Sequence, residues 1–425
     1  MTGFDLPLLT TSLPGPRSRA AVDRLARREC PAITARRARR ATELGAADTD
    51  PIVWDEAVGC NVLDVDGNRL VDMTAGFGVA AAGHRNPAVV SAVQAQAGRL
   101  LHAMGDAWPD VQRIELLDRL CTLAEMDRAI LGSSGSDAVE AALKTARIAT
   151  GRDGVVAFDG AYHGLSYGAL AATAYKQEWF RAPFQGQLGT HVQHLPFGGR
   201  IPAADDAVWQ GVGAVLVEPI QGRGGMRVPP PGWLAALAHR ARDVGALLVL
   251  DEIYTGFGRT GTRFACQADD VRPDLLCVGK ALAGGLPISA CLGTSAAMDA
   301  WGSSQGEALH TQTFLGHPLA CAAALACLDE LERLLPTVTP TGTWLTAQLQ
   351  VAGFAVQGRG LLLGISAPGG PSPLALSRAL LHRGWLVLPA GEQAEVLGLS
   401  PPLNTPRAVL SGFVDALVDA VASAA

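Results

Sequence analysis

Between residues 128 and 293 the chain alternates short apolar runs with stretches of helical periodicity. The runs RAILG (128–132), GVVAFD (154–159), AVLVEP (214–219), ALLVLDE (246–252), LLCVG (275–279) and ISACLG (288–293) are apolar on both faces, the pattern of strands covered on both sides. Helical stretches fit between several of them, among them DAVEAALKTARIAT (137–150) and WLAALAHRARDVG (233–245). Such strands joined by helices predict an α/β fold with a mainly parallel sheet flanked by helices. Upstream, GCNVLDVDGNRLVDM (59–73) alternates on either side of Asp66-Gly67-Asn68, a hairpin signature. The first 45 or so residues, rich in Arg and Ala (ARRARRATELGA), read as an exposed or helical arm. PTVTPTGT (336–343) is expected to break the chain before a C-terminal part of mixed α/β character. That part holds GFAVQGRGLLLGIS, a helix near 374–383 and GWLVLP. The division predicted is residues 1–75 as arm and part of a small domain, 76–320 as the large domain, and 321–425 as the smaller α/β domain.

Composition narrows the class. The 425 residues are 48% hydrophobic, enough for a large core, and a net charge of −6 gives no reason to expect nucleic acid or a membrane surface as partner. No apolar run approaches the ~18 residues of a membrane span, and the start lacks the basic-then-apolar pattern of a signal peptide. Eight cysteines are scattered, with no CxxC pair and no zinc spacing. Most sit in apolar segments, which predicts buried free thiols in a reducing, cytoplasmic setting. Of 34 basic residues, only Lys144, Lys176 and Lys280 are lysine; the other 31 are arginine. A guanidinium stays protonated, whereas an amine that loses its proton can attack a carbonyl and form a Schiff base. Three lysines make a short list for that chemistry.

In an open parallel sheet, ligands bind beyond the carboxyl ends of the strands. There the sequence places GSSGSD (132–137) opening a helix, GAYHG (160–164), Glu218 with Gln221-Gly222, Asp251-Glu252 with Tyr254, and Lys280. Ser134-Gly135-Ser136 at a helix start suits a phosphate, although a Ser before a helix is also a plain N-cap. Asp251 ends a strand so apolar that its carboxylate needs a partner. A pyridinium N–H is one, which would keep such a ring an electron sink; a structural salt bridge is the other. No histidine or further acid stands at metal-ligand spacing, so no metal is expected. Tyr162 suits stacking on a flat cofactor, and Tyr254 suits donation to a phenolic oxygen. His163 and Glu218 fit the site, or equally a structural role and a helix cap.

The motifs SSGSDAVEAALKTAR (133–147), AYHG (161–164), EPIQG (218–222), DEIYTGFGRTG (251–261), CVGKALAGGLPI (277–288) and HTQTFLGHPLACAAALA (310–326) span most of the chain. In that order they resemble the class III aminotransferases, the ornithine/4-aminobutyrate group of the fold-type I pyridoxal-phosphate enzymes. The resemblance implies a pyridoxal 5'-phosphate transaminase acting between amines or amino acids and keto acids or aldehydes. It implies that Lys280 holds the cofactor and shuttles the proton, and that Asp251 pairs with the ring nitrogen. Ile253 and Tyr162 would face the ring from opposite sides, and Gly135 and Ser136 would hold the phosphate. Thr313 would join them from the other subunit of an obligate homodimer. Substrate contacts are expected at Phe77, Val79, Trp108 and Arg223.

Three positions depart from the commonest family pattern. Tyr254 stands where Gln is usual, and Arg223 where many members have Glu. Counting back from Pro402 puts Gly398 where many members carry the arginine that grips the substrate α-carboxylate; Arg407 falls too late. Either Arg223 binds the carboxylate from another direction, or the substrate is read without such a clamp, as amines, amino sugars, amides or lactams would be. The second leaves room for an amino-acid or lactam racemase or epimerase of the same family. Epimerisation needs another acid/base across the ring, with His163 or Tyr254 as candidates. An idle binding protein on this scaffold would have no use for Lys280, Asp251 and the phosphate loop together.

Overall fold

Apolar runs this short cover themselves by pairing. In the computed structural model, which describes residues 2–34 and 52–424, seven strands form a central sheet. Their spatial order is Arg128–Gly132, Ser289–Gly293, Leu275–Val278, Leu247–Asp251, Val212–Val217, Gly154–Phe158 and Val192–Leu195. Ser289–Gly293 is antiparallel to both its neighbours, and the pairings from Leu275–Val278 out to Val192–Leu195 are parallel. All six expected strands are present with ends shifted by a residue or two. The seventh, Val192–Leu195 (VQHL), is a half-exposed edge that carries no apolar run to announce it.

Alternation along each strand assigns its two faces to two helical layers. Ala214, Leu216 and Val249 pack with the alanine-rich side of the helix Gly135–Thr150, through Ala138, Val139, Ala142 and Ala146. Val215, Val217, Leu248 and Leu250 face the other way, with Leu234, Leu237 and Ala241 of the helix Trp233–Asp243. The hairpin is present as Asn61–Asp64 and Arg69–Asp72, turning at Gly67 with φ of 87°. Trp385–Leu386 adds to it in parallel, so early and late parts of the chain share one sheet. A further antiparallel sheet joins Ala355–Arg359, Leu362–Ser366, Val396–Leu399 and Leu388–Ala390. The segment ARRARRATELGA lies outside the described residues; ahead of it, Pro16–Ala26 is helical.

The expected break at 336–343 is absent. One helix runs from Pro318 to Val351 with Pro336 and Pro340 inside it. Each interior proline costs roughly 3 kcal/mol. The buried stripe Leu331, Leu334, Val338, Leu345 and Leu349 passes straight through the prolines and holds the helix against the core. Gly342 completes the stripe where a β-carbon would lie 2.2 Å from the carbonyl oxygen of Gly360. Among the described residues no helix is long and apolar enough to cross a membrane.

Candidate active site

Asp251 is the last residue of its strand and is only 4% exposed. Its Oδ2 accepts from Nδ1 of the buried His163 at 2.8 Å, and its Oδ1 accepts from the Ile253 N–H at 3.1 Å. Bonding to a carboxylate puts the ring proton of His163 on Nδ1. His163 thus stands behind Asp251, its own N–H bonded to Thr173 Oγ1 at 3.0 Å and its Nε2 buried without a hydrogen-bond partner.

Lys280 follows the strand Leu275–Val278 and Gly279, with φ of 23°. A side chain on that side of the backbone map is held there by its surroundings. Its Nζ lies 4.2 Å from the centroid of the Tyr254 ring. Burial lowers its pKa; Asp251 and Glu218 oppose that shift and Arg223 adds to it. A lowered pKa raises the fraction present as free amine, the nucleophilic form. The Tyr254 ring fills a slot between two glycines: a β-carbon on Gly78 would lie 2.6 Å from it and one on Gly222 2.3 Å. The Ser400 hydroxyl donates to the Thr74 carbonyl at 2.9 Å, so the Tyr254 hydroxyl, 3.0 Å from Ser400 Oγ, is the donor there. The phenol proton expected to reach a cofactor oxygen is therefore engaged by Ser400, and the ring of Tyr254 faces Lys280.

Glu218 lies just past the strand Val212–Val217 and ties two loops together. Its Oε1 accepts from the Tyr162 N–H at 2.9 Å and its Oε2 from the Gly222 N–H at 3.0 Å. Burial, reinforced by the charge of Asp251 and opposed by His163, pushes its pKa up to about 7. Gln221 turns away, donating to the Asp159 carbonyl at 2.8 Å.

At the phosphate loop Ser134 is an N-cap, its Oγ accepting from the Asp137 N–H at 3.2 Å. The capping reading therefore holds, and it leaves the N–H groups of Gly135 and Ser136 in the helix's first turn, where the helix itself supplies no acceptor. The cradle is tight: a β-carbon on Gly135 would lie 3.0 Å from the Ile253 side chain, and one on Gly164 1.9 Å from Ser136 Oγ. An amine for an aldehyde, a buried carboxylate for a ring nitrogen, a helix start for a phosphate and aromatic and aliphatic walls for a ring fit pyridoxal phosphate.

The other expected residues are exposed or half-buried in the single chain. Thr313 and Trp108 are both exposed, Trp108 by 71%, on loops joined by a 3.1 Å bond from Thr311 Oγ1 to Asp106. Residues preceding Thr313 hold the phosphate-loop helix of their own chain: His310 Nε2 is 3.3 Å from Asp137, and Gln312 bonds Asp137 and Ser133. Phe77 is exposed with φ of 65°, and Val79 is half-buried; they flank Gly78. Arg223 is exposed, its guanidinium carbon 4.5 Å from the Tyr162 ring centroid and 5.2 Å from that of Tyr175. Arg407 bonds the Pro340 carbonyl and covers Trp344. The sequence reading missed Tyr175, Ser400 and the buried Arg259, whose Nη1 bonds the carbonyls of Leu361 and Pro401. The scarcity of tyrosine, four in the chain, was a signal for the first. Ser400 lies in the segment LSPPL (399–403), and Arg259 in the motif DEIYTGFGRTG.

A family model described as aminotransferase class-III matches residues 44–421, and the chain belongs to that family. It is 36% identical over 378 residues to an acetylornithine aminotransferase of Methanosarcina mazei, covering 87% of this chain and 92% of that protein. An acetylornithine aminotransferase of Mycobacterium tuberculosis is 40% identical over 386 residues, covering 87% and 91%. Among solved structures, an amine transaminase from an uncultivated Pseudomonas species superposes with a TM-score of 0.80 at 29% identity, over 89% of this chain and 96% of that one. An ornithine aminotransferase of Toxoplasma gondii gives 0.81 at 27% identity, over 96% and 99%. The fold is that of the fold-type I enzymes, pyridoxal phosphate is the cofactor, and the reaction is amino transfer. The racemase alternative gains nothing here: both its candidate acids, His163 and Tyr254, are engaged by Asp251 and Ser400.

The raised pKa of Glu218 has a stability consequence. Between its ordinary value of 4.5 and about 7, the folded chain keeps a proton that the unfolded chain has lost. Stability therefore falls as pH rises through that window. In thermal melts of the cofactor-free protein at pH 4.5 and 7.5, the wild type should lose more on raising the pH than Glu218→Gln does. Parallel pH profiles would contradict the assignment.

Proposed function

We propose that Lys280 holds pyridoxal phosphate covalently through its aldehyde carbon and afterwards carries the proton between the substrate carbon and the cofactor carbon. The observation that carries this is a lysine amine of lowered pKa, flanked by Tyr254 and sharing the site with buried Asp251. When bound, the cofactor supplies an electron-poor ring that weakens the bond to hydrogen on the amine-bearing carbon. Asp251, backed by His163, keeps the ring nitrogen protonated. Gly135 and Ser136 offer N–H groups to the phosphate, with Ser134 capping the helix that presents them. Tyr162 and Ile253 bound the ring faces, and Glu218 fixes the backbone of Tyr162. Phe77, Val79 and Trp108 line the substrate's approach. The protein works in the cytoplasm, in keeping with eight free cysteines, six of them buried.

The working form is a homodimer in which Thr313 completes the neighbouring phosphate site. In support, Trp108, Phe314, Leu309, Leu101 and Met104 are each more than half exposed on a single chain, and exposed apolar surface of this kind marks interfaces.

The function is tested by a half-reaction. The cofactor-loaded enzyme is mixed with single amines and amino acids in the absence of any keto acid. One donor should convert the visible band to that of the aminated cofactor and release a carbonyl product. Persistence of the band with solvent deuterium entering the donor would contradict amino transfer. The role of Thr313 is tested by subunit complementation, co-expressing Lys280→Ala and Thr313→Val chains. If Thr313 acts across the interface, the heterodimer regains one intact site and measurable turnover. If it remains as inactive as its parents, Thr313 serves its own chain.

A further inference from the structure

Arg223 is anchored through its backbone, with its guanidinium set against the Tyr175 side chain. The preceding N–H, of Gly222, is held by Glu218, and the Arg223 carbonyl accepts from the Gly391 N–H at 2.9 Å. Gly391 also accepts from the Tyr175 hydroxyl at 3.3 Å. Three segments thus meet at one residue: the loop after Val212–Val217, the stretch around Tyr175, and the turn after Leu388–Ala390. Tyr162, Tyr175 and Phe180 pack on one another with centroids 6.2 to 6.3 Å apart, and the cation lies over the first two. Among the described residues the Arg223 guanidinium has no acidic partner, and its charge reaches Lys280, whose pKa it helps to lower.

Position 398 itself is closely packed. Gly398 lies in the strand Val396–Leu399 with neighbours on both sides, and a β-carbon there would lie 3.0 Å from Met226 Cε and 3.3 Å from Ala390 Cβ. Met226 is 2% exposed and packs with Ile220, Leu362 and Tyr254. The chain carries no cation at position 398, and a side chain there would have to displace the end of Met226. Arg259 does not replace such a cation, being 1% exposed beneath the site and bonded to two backbone carbonyls.

We propose that Arg223 is the specificity-determining cation of this transaminase. It grips the single carboxylate of an amino acid or keto acid from the Tyr162–Tyr175 side, in place of a clamp at position 398. Its planar fork suits a bidentate bond to carboxylate, and the aromatic faces hold the guanidinium without neutralising it. Arg223 is exposed at the mouth while Lys280 lies deeper, so the carboxylate it reads is separated from the transferred amine by part of the substrate chain. The proposal rests on the assignment of Lys280.

The test compares matched donors, 4-aminobutanoate against butylamine and 6-aminohexanoate against hexylamine, with wild type, Arg223→Gln and Arg223→Lys. Wild type should prefer the carboxylate-bearing donor in kcat/KM by about tenfold to a hundredfold, the worth of a charge-assisted hydrogen bond. Arg223→Gln should erase that preference mainly through KM, and Arg223→Lys should restore part of it. A preference that survives Arg223→Gln, or its absence in wild type, overturns the proposal. Titration of the loaded enzyme with pentanoate and its neutral analogue pentanamide gives the same reading without turnover. Pentanoate should bind at least about tenfold tighter than the amide in wild type and no tighter in Arg223→Gln; equal behaviour of the two proteins overturns it. Failure of the Lys280 assignment would register separately, as a visible band that Lys280→Ala retains before any ligand is added.

Discussion

A carboxylate at the end of an apolar strand sets the terms for everything around it. The strand Leu247–Asp251 is Leu and Val up to its last residue, and the fold leaves Asp251 4% exposed with His163 and the Ile253 N–H as its hydrogen-bond partners. Burying a carboxylate is tolerable only with hydrogen bonds and a positive partner. His163 supplies the bond, and on the proposed reading a protonated pyridine nitrogen would complete the pair. The same charge opposes the burial that lowers the Lys280 pKa and helps raise that of Glu218. Acid, amine and second acid are therefore electrically one unit, although they come from different strands.

Much of this was legible in the sequence because the physics is local. Strands apolar on both faces announced a covered parallel sheet, and the rule that ligands sit beyond their carboxyl ends singled out one edge. The rarity of lysine reduced a search among 34 basic residues to three. What the sequence concealed depends on contacts between distant segments. Pro336 and Pro340 argued for a break, yet the buried stripe running through them keeps the helix continuous. VQHL has too little apolar character to be marked as a strand and exists because Gly154–Phe158 offers it an edge. Tyr254 looked like a donor to the cofactor, but its hydroxyl partner, Ser400, lies 146 residues away. Tyr175 gains its place only when the chain brings Gly391 and Arg223 beside it.

The departures from the family pattern make sense together. A glycine at 398 lets the strand Val396–Leu399 pack against Met226, and a tyrosine at 254 fills the slot left by Gly78 and Gly222. Polarity moves instead to Arg223, on a loop fixed by Glu218 and Gly391. On the proposed reading the reacting groups are those of the class, while the cation that chooses the substrate stands at a different place.

The central claim is that Lys280 is the cofactor-bearing lysine, and the chain's composition makes it simple to test. Reduction of the cofactor-loaded protein with borohydride, followed by proteolysis and mass spectrometry, fixes the lysine–cofactor bond as a stable adduct. The account predicts the adduct on the peptide containing Lys280 and none on those containing Lys144 or Lys176. An adduct on either of those two instead, or a loaded protein with no adduct at all, would contradict it.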